Sequence, residues 1–228
     1  MANADPPHGA AALTPMEHRF IVFEGGEGSG KSTLAAAIAR RLEEAGHDVV
    51  LTREPGGTTA GERVRELLHE PLTPWAEAFA FLAARAQIVH EVIRPALERG
   101  AIVLCDRFSA STYAYQGYGR GLDLATLRAA NAAATGGLEP DLVVYLDIDP
   151  ASGLRRQRGE PDPIRTGIEA LEFHRRVWAG YRSLMAAATP GAWVTVDATL
   201  PPTRVEDYLW ALLTEAPALP ASQPPLVS

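Results

Sequence analysis

The 228-residue chain has one lysine, one cysteine and only 7% aromatic residues, and no excess of basic charge. Each shortage excludes something. A single cysteine precludes an intrachain disulfide, and Cys105, at the end of the apolar run Ile102-Val103-Leu104-Cys105, reads as a core residue rather than a nucleophile. No stretch approaches the roughly 18 to 20 uninterrupted apolar residues that span a bilayer, and the N-terminus lacks a positive segment leading into an apolar core. A cytoplasmic protein without a membrane partner is expected. The net charge of −7 and pI near 5.4 argue against a surface built for a nucleic-acid polymer, so any nucleotide partner is expected to be small. The six histidines show no metal-ligand spacing. With 46% hydrophobic residues the chain can still bury one sizeable core.

The single lysine is the most informative residue. Lys31 stands in Gly25-Gly26-Glu27-Gly28-Ser29-Gly30-Lys31-Ser32, the G-x-x-x-x-G-K-[ST] pattern of a phosphate-binding loop, while the other 20 basic residues are arginine. A compact point charge is kept where a triphosphate needs one. The flanks fit the motif. Arg19 to Phe23 is a short apolar run with the character of a buried strand, and Ser32 to Arg41 is an alanine-rich helix former. Backbone N–H groups of the loop and the helix N-terminus would cradle phosphate, with Thr33 just behind them. Lys31 would reach the β and γ oxygens and Ser32 would ligate Mg²⁺.

Further short apolar runs at Asp48–Thr52, Ala101–Cys105, Leu142–Asp147 and Trp193–Val196 alternate with helix-compatible segments. That alternation predicts an α/β fold, a parallel sheet flanked by helices. Residues 1–17 and 216–228, rich in Pro and Ala without periodicity, read as disordered tails around one domain over 18–215.

Ligands of such sheets gather at the carboxyl ends of the strands. Thr52-Arg53-Glu54-Pro55-Gly56-Gly57-Thr58 follows the second strand and Asp106-Arg107-Phe108 the third, where Asp106 stands as a Walker-B carboxylate facing Mg²⁺. Arg53 and Arg107 suit an anion clamp, the bland alternative being surface ion pairs. Phe81 and Arg85, four apart, share a helix face; taken alone they are a core residue and a solvated partner. The stretch from Ser109 to Gly121 mixes hydroxyls, rings and glycines in a way that suits a base and a sugar. Arg155, Arg156 and Arg158, leading into Pro161-Asp162-Pro163-Ile164-Arg165, fit a mobile lid over about 153–167, or else an exposed basic helix face.

Assembled, these residues resemble the thymidylate kinase family from about Phe20 to Leu213. The marks are Phe23-Glu24-Gly25 into the phosphate loop, the Thr52–Thr58 motif, Phe81 with Arg85, Asp106-Arg107-Phe108, Ala114-Tyr115-Gln116-Gly117, Phe173 to Val177 with Tyr181, and Val196-Asp197-Ala198. The resemblance implies a P-loop nucleoside monophosphate kinase with a five-stranded parallel sheet. It also implies a homodimer that phosphorylates dTMP to dTDP with Mg-ATP by direct in-line transfer. It assigns Arg53 and Arg107 to the dTMP phosphate, Phe81 to stacking on thymine and Arg85 to its carbonyl edge. Ser111 and Thr112 become pyrimidine contacts, Gln116 a further substrate contact, Tyr115 lies under the deoxyribose, and Glu27 holds the 3′-hydroxyl. Because Gly28 follows Glu27, the catalytic arginines are expected in the lid, at Arg155 and Arg158 ahead of Arg165. The rival readings are a kinase for another monophosphate, or a nucleotide-binding protein without turnover. A GTP switch would need a second lysine in its Asn-Lys-x-Asp motif, and none exists.

Overall fold

A computed structural model describes residues 18–157 and 171–214 of the chain. Both expected tails, and the lid arginines Arg158 and Arg165, lie outside the described residues. Five strands, β1 (Phe20–Gly25), β2 (Val49–Arg53), β3 (Ile102–Asp106), β4 (Leu142–Asp147) and β5 (Trp193–Asp197), form one wholly parallel sheet in the order β2-β3-β1-β4-β5. All six β1 residues are buried, as a central strand covered on both faces requires. The parallel register brings every strand's carboxyl end to one edge, setting Phe23 opposite Asp106 and Arg53 opposite Asp106 on the other side.

Helices cover both faces. On one, α1 (Lys31–Glu44) turns Leu34, Ile38 and Leu42 inward at i, i+4 spacing and packs with α9 (Pro202–Thr214) over Ile21, Phe23, Leu104 and Val144. The other face is covered in part by α3 (Pro74–Ile88), which runs through a π-helical turn, Val89–Ile93, into α4 (Arg94–Glu98). Ile88, Val89 and Ile93 there meet Phe20, Val22 and Cys105. Cys105 is fully buried and burial pushes its thiol pKa up, which fits an inert core residue. The short helix α2 (Thr59–Leu67) precedes α3, and its N-cap Thr58 accepts from Gly61 N at 2.9 Å.

After β3 the chain enters α5 (Ser109–Thr112), continues as a seven-residue π-helical segment, Tyr113–Gly119, and then forms α6 (Leu124–Thr135). α7 (Pro150–Gln157) follows β4, and α8 (Leu171–Ala186) packs along the π segment. Such wide turns recur at functional sites. Here the segment supplies Tyr115 and Gln116, both of which line the main cavity. Among the described residues no helix is long and apolar enough to cross a membrane.

Candidate active site

The loop between β1 and α1 turns on Gly28 (φ 66°) and Gly30 (φ 89°), conformations that L side chains rarely adopt. Lys31, only 7% exposed, folds its ammonium back onto the loop, donating to Gly26 O at 2.8 Å and to Ser29 Oγ at 3.2 Å. The loop also touches α7 backbone to backbone. A Cβ on Gly28 would lie 2.1 Å from Gly153 O, and a Cβ on Gly153 would lie 2.1 Å from Glu27 O. Only a pair of glycines allows the helix that leads toward 158–170 to rest on the phosphate loop this closely. Arg155, on the same helix, donates to Ser152 Oγ, and Arg156 donates to Ala198 O beyond β5.

Ser32 donates to Asp106 Oδ2, so the end of β3 meets the start of α1. Asp106 Oδ1 is buried and has no hydrogen-bond partner among the described residues. An orphaned carboxylate oxygen beside a hydroxyl suits a hard cation. Among the described residues no group of three or more His, Cys, Asp or Glu side chains could cage a metal by itself. The pair therefore fits Mg²⁺ of the kind that shares its ligands between a few protein oxygens, water and phosphate.

Beside the loop lies an open cavity, whose lining includes Glu27, Phe81, Arg85, Arg107, Thr112 and Tyr115. Glu27 links it to the phosphate loop, accepting from Tyr115 Oη at 2.7 Å and from Arg107 Nη2 at 3.4 Å. Arg107 is the one non-glycine residue with positive φ, 74°, among the described residues. That conformation costs about 1–2 kcal/mol, and the surroundings hold it in place. Its Nη1 donates to Gly25 O and Ser111 Oγ, and its guanidinium lies 5.0 Å from the centre of the Tyr115 ring. Burial opposes its charge, but Tyr115, Glu27, Tyr181 and Asp106 outweigh burial and raise its pKa further.

Underneath, Glu24 is fully buried in β1 and accepts four hydrogen bonds, from Phe108 N, Ser111 N, Ser111 Oγ and Tyr181 Oη, at 2.6 to 3.1 Å. It thereby ties β1 to the turn that carries Arg107 and to α8. The Tyr181 hydroxyl, pushed well above its usual pKa by burial and by Glu24, serves as a donor.

Phe81 and Arg85 share the cavity-facing side of α3, as their spacing predicts. Arg85 is 1% exposed and all five of its N–H donors are engaged. Nε and Nη2 bind Glu54 Oε2 at 2.8 and 2.7 Å, Nη1 binds Thr112 Oγ1 and Asn131 Oδ1 at 2.9 Å each, and Nη2 reaches Phe108 O at 3.0 Å. A base carbonyl could be met only by sharing one of these donors, so Arg85 acts first as the wall's organiser. Burial drives the carboxyl of Glu54 up to about 6, against the pull of Arg85.

The structure thus gathers Glu27, Phe81, Arg85, Arg107, Ser111, Thr112, Tyr115 and Gln116 around one cavity. Arg53 is not in its lining; its half-exposed side chain bonds Glu62 Oε1 at 3.4 Å. Sequence reasoning gave no role to Glu24, Glu54, Glu77, Arg120 or His174. For Glu24 a signal existed, a carboxylate within the otherwise apolar strand Phe20-Ile21-Val22-Phe23.

Comparison with known proteins agrees with this fold. The thymidylate kinase family model matches residues 23–208. The thymidylate kinase of Thermomicrobium roseum is 54% identical over 199 residues, covering 86% of this chain and 94% of that protein. That of Deinococcus radiodurans is 50% identical over 201 residues, covering 86% and 96%. The crystal structure of thymidylate kinase from Ehrlichia chaffeensis superposes with a TM-score of 0.72 at 32% identity, covering 86% of this chain and 98% of that one. Matched by the family model over most of its length and by relatives at half or more identity, the chain belongs to the thymidylate kinase family, and its activity is that of a kinase.

Proposed function

We propose that the protein transfers the γ-phosphoryl group of ATP to dTMP, giving ADP and dTDP on the route to dTTP. The observation that carries this reading is the position of Glu27, a phosphate-loop residue whose carboxylate is also part of the cavity wall. ATP on the loop and a nucleotide in the cavity would then meet end to end.

The acceptor is a phosphate monoester, whose second pKa is about 6 by analogy with phosphorylated side chains. At neutral pH it is already a dianion, so no general base is needed. Its oxygen attacks the γ-phosphorus in line as the bond to the β–γ bridging oxygen breaks, and ADP leaves with the charge; no covalent enzyme intermediate forms. The obstacle is repulsion between anions. Arg107 and Arg53 would hold the dTMP phosphate, Lys31 the β and γ oxygens, and Arg155 with Arg158 the migrating group. Mg²⁺ held by Ser32 and Asp106, directly or through water, would neutralise charge across the β- and γ-phosphates. Phe81 would stack on thymine, and Tyr115 would fill the space of a 2′-hydroxyl while Glu27 holds the 3′-hydroxyl.

Steady-state ADP release with Mg-ATP against dTMP, dUMP, UMP, dCMP, AMP, GMP and thymidine tests this. A strong preference for dTMP supports the reading; turnover only with another acceptor, or with none, overturns it. Gly153→Ala should lower kcat/KM for ATP roughly ten- to a hundredfold by lifting α7 from the loop, and a variant within twofold of wild type would show that the glycine contact does not position the loop.

A cytoplasmic homodimer is part of the same reading. Leu67 and Phe79, 47% and 55% exposed on α2 and α3, suit a helix-packed interface. Light scattering should give twice the chain mass, and Phe79→Glu should lower it toward the monomer; a monomeric wild type at micromolar concentration would refute the dimer.

A further inference from the structure

The cavity's polar groups are arranged with a definite sense of donor and acceptor. Gln116, 3% exposed, sits in the π-helical segment, and its Nε2 donates to Glu77 Oε1 at 2.7 Å. A carboxylate can only accept, so it fixes which end of the amide faces it. The amide oxygen of Gln116 is left over. It accepts no hydrogen bond among the described residues, it is not among the sealed, unpartnered side-chain atoms, and its residue lines the cavity.

Glu77 is itself held from behind. It projects from α3 into the cavity wall, and Arg120 Nη2 donates to its Oε2 at 2.9 Å. The Arg120 guanidinium in turn lies 4.8 Å from the centre of the Phe173 ring, at the start of α8. The other groups nearby have different polarity. Arg85 has spent its five donors, and Thr112 Oγ1, which accepts from Arg85 Nη1 at 2.9 Å, keeps its own proton to donate. Beside Arg85, the wall therefore offers a base the Gln116 amide oxygen as an acceptor and the Thr112 hydroxyl as a donor.

Thymine and uracil carry an N–H at N3 flanked by carbonyl oxygens. Cytosine carries an unprotonated N3, which would set two acceptors against each other at Gln116. We infer that Glu77, clamped by Arg120, is a positioning residue that fixes the Gln116 amide with its oxygen toward the base and so selects pyrimidines bearing N3–H over cytosine. This rests on the reading of the cavity as the dTMP site.

Glu77→Gln keeps the shape but can offer Gln116 either a donor or an acceptor, so the amide is free to turn. Kinetics with dTMP, dUMP and dCMP on the wild type, Glu77→Gln and Arg120→Met test the inference, with inhibition by dCMP against dTMP read where its turnover is too slow. The dTMP-to-dCMP ratio of kcat/KM, or of inhibition to substrate constants, should fall roughly ten- to a hundredfold in Glu77→Gln. The dTMP KM should rise, kcat should stay within about threefold, and the dTMP-to-dUMP ratio should hold because both bases carry N3–H. Arg120→Met should move the first ratio the same way by less, and it carries the test alone if Glu77→Gln does not fold. An unchanged ratio, or an equal loss on all three acceptors, overturns the inference while leaving the substrate reading intact. A wild type that does not use dTMP overturns both, and that result is read before any variant is made.

Discussion

Replacing Lys31 by alanine is expected to lower kcat by roughly 10²- to 10⁴-fold while changing the KM for dTMP by no more than about threefold. The loop itself orients the ammonium, which donates to Gly26 O and Ser29 Oγ. Its attraction to the phosphate oxygens grows as charge moves toward the β–γ bridge, so its loss falls on the transition state, by about 3–5 kcal/mol. Lys31→Arg should fail nearly as badly. The residue is 7% exposed, and a planar guanidinium does not fit where a compact ammonium sits. A chain with 20 arginines and one lysine thus has its exception where the two cations are not interchangeable. Steady-state kinetics with both substrates varied would decide it: weaker binding of both substrates at unchanged kcat would remove Lys31 from the transition state.

Arg85→Met is expected to cost about 3–5 kcal/mol of stability, because it leaves the carboxylate of Glu54 buried without its partner. For a domain of this size that lowers the thermal midpoint by roughly 6–20 °C. Glu54 Oε1 already has no hydrogen-bond partner among the described residues, so its charge has little besides Arg85 to offset burial. Removing both partners should be milder. In Glu54→Leu/Arg85→Met the stranded charge is gone, and the double variant should be more stable than Arg85→Met alone, though Asn131 Oδ1 and Phe108 O still lose their donor. A loss below about 1 kcal/mol for the single variant, measured by denaturant titration, would show that the arginine is not the wall's organiser.

These two residues mark how far the sequence could be read. Lys31 was legible because its neighbours in sequence are its neighbours in space: strand, loop and helix follow without a gap. The five strands were legible for the same reason, and Leu142–Asp147 was located to the residue. Phe81 and Arg85 could be put on one helix face from their spacing. What Arg85 does there could not, because Glu54 and Asn131 lie 31 and 46 residues away. Glu24 shows the same limit more sharply, since it accepts from Tyr181, 157 residues along the chain. The π-helical segments were also hidden. Their wider turn changes which residues align, and a 3.6-residue period cannot anticipate that. Part of the cavity lining could be named from sequence, while Glu77, Arg120 and the hydrogen bonds that Glu77 makes with Gln116 and Arg120 depend on residues 39 and 43 positions apart.

The burial of Lys31 in the phosphate loop has a practical side. It is the chain's only ε-amine, so apart from the α-amine, acylation by an amine-reactive reagent can occur at one place. A nucleotide on the loop would cover that amine. The rate at which chains gain one acyl mass at Lys31, slow for a buried amine, would then fall further as nucleotide fills the loop, which reads occupancy without a radioactive substrate, an engineered tag or an assay of turnover.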